Sequence, residues 1–373
     1  MVAGRARTPL WLAQSTRFAG VSRPGARIAL AIIALLIAVT LGACYLGGRS
    51  PSVEGRSGSE TDAMLYQTIV EGIRHGGHYY AVAATALREG GYPLKPFVAF
   101  RLPTLAVVEA AIPPIVALAL LVAIVVGAAM AWYIRLRPET KDGRGARIAI
   151  LVLLAAGLAV FLERDMVAFH EIVAGPLIAL SLALWRPGRW VEAVAIATIA
   201  LLIRETVAAY VMVMLLFALS DRNWREAAGW AAGLAAFALV LVLHARAVAE
   251  IVGPLDPTSP GWHGLLGYGY FIRAVALGTL LVMAPLWIAA PLIALALVGW
   301  AAWRDAVAPR VLAILAAYAV LLGVFARPDN VYWVLLIAPF FLLGLLFVPD
   351  ALGDLVHRVL DRRRSITVTR MVR

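Results

Sequence analysis

A single cysteine, Cys44, is all the sulfhydryl chemistry that this chain of 373 residues carries. That excludes an internal disulfide framework and any cysteine-rich metal site. Charge is also scarce: charged residues make up 15% of the chain, against 62% hydrophobic. No soluble domain needs so much apolar surface, so the excess belongs against lipid. Acids are fewer than bases, 22 against 33, which leaves a net charge of +11. The bases form no single patch. They recur between apolar runs, as expected of cytoplasmic loops, and this argues against nucleic acid as a partner.

What is present is a series of apolar runs near or above the roughly 20 residues that span a hydrocarbon core. The N-terminus, residues 1–27, carries Arg5, Arg7, Arg17, Arg23 and Arg27 and no acid. The positive-inside rule puts it in the cytoplasm. The first span runs from about Ile28 to Gly48 and holds Leu41-Gly42-Ala43-Cys44, a loose likeness of a lipoprotein cleavage box. The plain reading is an uncleaved first helix.

After that span comes the one long polar segment, residues 49–104, expected on the outer side. Met64, Leu65, Ile69, Val70 and Ile73 recur at helical spacing in it, which predicts a helix lying along the membrane surface. Gly76-Gly77 ends that helix, and a second short one, near Tyr80 to Arg88, ends at Gly90-Gly91. The next span falls within Leu105 to Ile134, and a basic cytoplasmic loop follows it.

From there one device repeats. Apolar stretches at Ile148–Trp185, Val191–Leu219 and Val311–Val348 are interrupted by Glu163-Arg164-Asp165, Arg204-Glu205 and Arg327-Pro328-Asp329-Asn330. Their flanks are basic on both sides, so each stretch crosses an even number of times. Two helices with an outward polar apex satisfy this. They also keep ions from the bilayer centre, where each costs roughly 2.5–3.5 kcal/mol. One span near Ala227–Leu243 and one within Phe271–Trp303, whose start near Arg273 lies at the outer interface, complete the count. The expectation is an all-α polytopic membrane protein: one transmembrane domain over residues 28–348 with about ten helices, and both termini in the cytoplasm of an inner (plasma) membrane. The basic tail, residues 349–373 with Arg362-Arg363-Arg364, is expected to meet anionic lipid.

In this topology nearly every embedded charge faces outward: Glu60, Asp62, Arg101, Glu163, Arg164, Asp165, His170, Glu171, Arg204, Glu205, Arg246, His263, Arg273, Arg327 and Asp329. Ionisable groups at membrane depth are candidates for function. Neighbours such as Arg204 and Glu205 are equally suited to capping short helices and pairing with each other. Together on one face, these groups suit an anionic, lipid-linked substrate. A transporter would place its polar groups near mid-membrane, in repeated halves, and no matching halves are evident here.

Several local features are distinctive in order and membrane side. Glu60-Thr61-Asp62 follows the first helix, with Tyr66 on the face of Asp62. Gly76-Gly77-His78-Tyr79, Tyr92-Pro93 and Arg101-Leu102-Pro103 come next, and Asp165 lies in the second outer loop. This arrangement resembles the membrane glycosyltransferases of the GT-C fold, among them protein O-mannosyltransferases, aminoarabinose transferases and rhizobial lipid galacturonosyltransferases. The resemblance implies a polyprenyl-phosphate-linked sugar as donor, and a cell-surface lipid or glycopolymer as acceptor. It implies Asp62 as catalytic base with Glu60 beside it. It makes Arg204 and Arg327 phosphate clamps with Arg101 in reserve, because the planar fork of arginine suits phosphate. His170 and Glu171, near Asp165, would touch sugar or acceptor, with Glu205 and Asp329 at the same apices. No cofactor is implied with certainty, and the cluster of acids leaves room for a divalent metal. The alternatives are a non-enzymatic component of surface-polysaccharide assembly or export, and a transporter.

The basic flanks generate a direct test of topology. In a Cys44→Ser background, a single cysteine at Ser259 should label with an impermeant thiol reagent on intact cells, and one at Asp142 should not. Labelling at 142 from outside would overturn the arrangement.

Overall fold

The structure, a computed structural model, describes residues 7–46, 53–141, 143–162 and 168–361. Among the described residues it is all-helical, with isolated bridges in place of strands. Six helices are long and apolar enough to cross a bilayer, which makes the chain a multi-pass membrane protein. They comprise α1 (Arg23–Leu46), α5 (Pro114–Leu136), α6 (Arg144–Leu158) with the 3-10 turn that extends it to Leu162, α10 (Trp224–Ile251), α13 (Val307–Val320) with the π turn that extends it to Phe325 and, near the C-terminus, the stretch Ala338–Leu360. Shorter apolar helices stand among them: α7 (His170–Leu184), α8 (Val191–Ile203), α9 (Ala208–Ser220) and α12 (Leu286–Ala302).

The polar segment folds over one end of this bundle, here termed the cap end. Its helices are α2 (Val53–Arg74), α3 (Tyr79–Glu89) and α4 (Thr104–Ala111). The amphipathic pattern of α2 decides its seat: Ala63, Tyr66, Ile69 and Val70 are buried, while Met64 on the other face is exposed. The apolar run from Leu105 is not one helix. It breaks at Ile112-Pro113, and α5 starts on Pro114. Proline cannot donate into the preceding turn, and it drives the residue before it to extended backbone, which Ile112 adopts at ψ 155°. The run Phe271–Trp303 breaks likewise, into α11 (Gly267–Leu277) and α12, with Arg273 on α11 bonded to the Cys44 carbonyl at the end of α1.

The bundle is apolar outside as well as inside. Ile28, Ile32 and Leu35 on α1, Ile148, Leu151 and Val152 on α6, and Leu239, Val242 and Leu243 on α10 all stand exposed, as lipid-facing residues do. The centre is α7 and the segment 330–347. That segment is irregular: a 3-10 stretch Asn330–Leu336, α14 (Ala338–Phe341), then a second 3-10 stretch Leu342–Phe347, leading into α15 (Val348–Leu360). Nearly all of it is buried. Irregular backbone at membrane depth is tolerated where protein, not lipid, surrounds it.

Glycine permits that enclosure. A methyl group on Gly299 of α12 would sit 1.8 Å from the Gly344 carbonyl oxygen, and one on Gly175 of α7 would sit 2.2 Å from that of Leu335. Small residues let helix backbones approach in this way inside membranes.

At the opposite end the N-terminal arm docks on α15. The buried Asp350 carboxylate accepts from the backbone N–H groups of Leu10, Trp11 and Leu12 and from Arg7, and Asp354 accepts from Thr16. Arg135 donates to the last carbonyls of α7 and pairs with Asp305 at 2.7 Å.

The contact of α12 with the central segment yields a stability prediction. Gly299→Ala should destabilise the protein by about 1–3 kcal/mol, the usual penalty of overpacking, because the clash is with backbone. Gly127, with open space around its Cβ position, should tolerate Ala without loss. Equal thermal unfolding of the two variants in detergent would refute the close packing.

Candidate functional site

The cap end holds a cavity of about 300 Å³ where separate segments converge. One wall is α2, with Asp62 and Tyr66; another is α3 and the segment after it, with Tyr79, Tyr92 and Arg101. The apices Arg204–Thr206 and Arg327–Trp333 close the far side, together with Ser259 and Trp262 from the loop after α10.

That loop is tied to the cap directly. Arg88 pairs with Asp256 at 2.7 Å, Leu94 N–H donates to the Pro257 carbonyl at 3.0 Å, and Ser259 N–H donates to that of Lys95 at 2.7 Å. Below it, His244 on α10 accepts from the Tyr80 hydroxyl at Nδ1, 3.1 Å, and donates from Nε2 to the Phe100 carbonyl at 3.3 Å. Tyr80 is therefore committed to structure, and Tyr79 is anchored by donating to the Arg101 carbonyl at 2.6 Å.

The charges form one connected network. α8 ends at Arg204, whose backbone is extended (φ −138°, ψ 115°), and a 3-10 turn Glu205–Val207 leads into α9. Arg204 is 1% exposed and is bonded to both Glu171, at the start of α7, and Glu205. Glu205 in turn faces Arg101 at 3.3 Å, and Arg101 Nε donates to the Tyr66 hydroxyl at 2.9 Å. At the outer rim Arg327 forks onto Asp329 through two bonds, 2.7 and 3.2 Å. Asn330 turns back to accept from the Arg327 N–H and donates to the Tyr332 hydroxyl.

Asp62 differs from every other acid in this wall. Among the described residues no cation lies within ion-pairing distance of it, and the Tyr92 hydroxyl is its hydrogen-bonding partner. Burial lifts its pKa above the ordinary carboxylate value, and the Tyr92 bond and the charge of Arg101 only partly oppose that. The Tyr92 hydroxyl is itself pushed up, by burial and by the neighbouring carboxylate. Two further polar atoms of the wall, Thr206 Oγ1 and Trp333 Nε1, are buried with no partner among the described residues.

The cavity thus brings together Asp62, Arg101, Arg204, Glu205, Arg327 and Asp329 from distant parts of the chain. Glu171 stands behind Arg204, off the cavity. His170 is buried edge-on beneath Tyr66, with ring centroids 4.9 Å apart, beside a void of about 10 Å³. The Glu60 side chain and all of Asp165 lie outside the described residues. Asn330, part of the polar interruption seen in the sequence, also lines the wall, as do Thr206, Tyr332 and Trp333, which no composition or spacing signal marks. The legible hint is their position, each within a few residues of a charged apex. Among the described residues, no three His, Cys, Asp or Glu side chains converge as metal ligands would.

No family model, curated protein or solved structure matches this chain.

The network separates two kinds of arginine. Glu171→Gln leaves buried Arg204 with one carboxylate and should cost about 3–5 kcal/mol, as breaking a buried pair does. Arg327→Ala removes a half-exposed pair and should cost under about 1 kcal/mol. Unfolding of the purified variants measures both; comparable losses would mean that Arg204 is not the anchor.

Proposed function

We propose that this chain is a GT-C-like glycosyltransferase of the inner membrane. It moves a sugar from a polyprenyl-phosphate carrier to a hydroxyl of a cell-surface lipid or glycopolymer. The observation that carries the reading is the pairing pattern at the cap-end cavity: one partly buried carboxylate that has no ion-pairing cation among the described residues, in a wall of arginines and aromatic rings. The four shorter apolar helices complete ten crossings, both termini are cytoplasmic, and the cap end is the outer face.

Each part of the cavity has a task in that chemistry. Asp62 takes the proton of the acceptor hydroxyl as its oxygen bonds to the anomeric carbon. The bond from that carbon to the carrier phosphate oxygen breaks in the same displacement, so the product is inverted. Negative charge develops on the departing phosphate, and preorganised cations are worth most there. Arg101 and Arg327 supply them, while Arg204 positions Glu205 and through it Arg101. Tyr66, Tyr79 and Trp262 offer faces to the apolar side of a sugar ring. A volume of about 300 Å³ is at the small end of ligand pockets and suits one sugar with its phosphate. The cavity wall is built from cap segments and helix apices, whereas a transporter site lies at mid-membrane between repeated halves.

The raised pKa of Asp62 sharpens the test. A base above its ordinary value accepts a proton more readily, and the acidic limb of kcat/KM should fall above the usual carboxylate pKa of about 3.9. The sign for stability is opposite to that of a salt-bridged acid. With the folded pKa raised, the stabilising contribution is present at low pH and is lost as pH rises through the folded value. At neutral pH Asp62→Asn should therefore unfold no earlier than the native protein, and slightly later if anything. Its transfer activity should drop by about 10²–10⁴-fold. The measurement is mass analysis of surface glycans and lipids from a deletion strain carrying equal amounts of each variant. A sugar lost on deletion and restored by Asp62→Asn would remove the base. A whole polymer lost with its repeat units intact would point instead to assembly or export.

A further inference from the structure

Beside the cavity, on the other flank of α2, lies a groove of about 650 Å³ between α2, α4 and the first turns of α5. Its upper wall is polar, with Thr68, Glu71, Arg74 and Glu109; its lower wall is Ile115 and Leu118 on the span α5. Ile115 is 70% exposed, so the lower wall is continuous with the lipid-facing surface.

Glu109 is the unexpected element. It is 6% exposed, it lines the groove, and among the described residues its carboxylate has no hydrogen-bond or ion-pair partner. Arg74 does not serve it: that guanidinium pairs with Glu71 at 2.7 Å and donates to the backbone carbonyls of Glu109, 2.9 Å, and Ile112, 3.3 Å. Those bonds use three of the five guanidinium donors and leave two, on a side chain that lines the groove. A buried carboxyl without a partner is costly, and burial lifts its pKa to about 7 against the opposing pull of Arg74.

We propose that this groove binds a membrane phospholipid with a primary-amine headgroup, its ammonium on Glu109, its phosphate on Arg74, and its chains along Ile115 and Leu118. The charge pattern selects that occupant. Among the described residues, Arg74 is paired with Glu71 and the charge of the Glu109 carboxylate is left over, so a zwitterionic headgroup adds no net charge and sets its ammonium against that carboxylate. An anionic glycerol headgroup would bring a second negative charge and no cation. A choline headgroup carries the cation but no N–H for the carboxylate to accept. The site is independent of the glycosyl-transfer reading.

The test is lipid competition on the full-length protein, purified in mild detergent and read by native mass spectrometry. The probes are phosphatidylethanolamine, phosphatidylcholine and phosphatidylglycerol in equimolar mixture, with no sugar donor present. One charge-assisted hydrogen bond predicts that ethanolamine lipid is retained about tenfold over either competitor. Glu109→Gln should abolish that preference, leaving the three lipids equal. It removes a buried charge at constant shape, so it should fold at least as well as the native protein. Equal retention of the three lipids by the native protein, or preference for phosphatidylglycerol, overturns the proposal without any variant. An unchanged preference in Glu109→Gln overturns the assignment of Glu109.

Discussion

The architecture of the cap end hangs on one cation. Arg204 is sealed from solvent at a point where a helix must stop, and a guanidinium in such a place is tenable only when its charge and donors are met. Glu171 and Glu205 meet them. That requirement fixes the start of α7 against the end of α8. Because Glu205 also takes Arg101, it fixes the closing segment of the polar cap against the bundle. Arg101 carries the linkage to Tyr66 on α2. One buried charge thus reaches, through three further side chains, the surface helix that carries Asp62. A network of this kind specifies a single arrangement because a half-satisfied version is worse than none.

The second constraint is the close approach of backbone to backbone at the bundle centre. Segment 330–347 could not sit against lipid, since its 3-10 turns leave main-chain groups less well paired than an α-helix does. Gly175 and Gly299 let α7 and α12 close around it. The enclosure in turn holds Asn330, Tyr332 and Trp333 at the rim of the cavity with little freedom. A site that must hold a reacting group to fractions of an ångström gains from being mounted on a rigid, buried segment.

Much of this was legible in the sequence, and the reasons are physical. Charge at membrane depth is expensive enough that Arg204-Glu205 and Arg327-Pro328-Asp329 could only mark helix breaks, and breaks stand at both. The 3.6-residue period of α2 announced a helix buried on one face, although Met64 falls on the exposed side. The span expected within Leu105–Ile134 ran past the Pro113-Pro114 break, because the hydropathy of Leu105–Ala111 hid α4 within the same run. Pairing across the chain was illegible: nothing local in Glu171 says that its partner is Arg204, and a residue as bland as Thr206 or Trp333 joins the wall only because the fold carries it there. Glu109 was hidden for the same reason. It sits in an apolar stretch, and only the three-dimensional arrangement leaves its carboxylate unpartnered.

The distribution of partners separates architecture from chemistry more sharply than position does. Glu171, Glu205 and Asp329 each hold an arginine, so each is spent on keeping a segment in place. Asp62 is partly buried and, among the described residues, receives only a tyrosine hydroxyl. A fold gains nothing from a carboxylate kept in that condition, because burial without a cation works against the ionised form. Groups whose environments push their pKa values apart within one cavity are the signature of divided acid–base labour. On that criterion the acids that look most dramatic in the sequence, those embedded beside arginines, are the scaffold. On the proposed reading the working group is the acid on the surface helix, which lies near arginines yet, among the described residues, out of bonding reach of any of them.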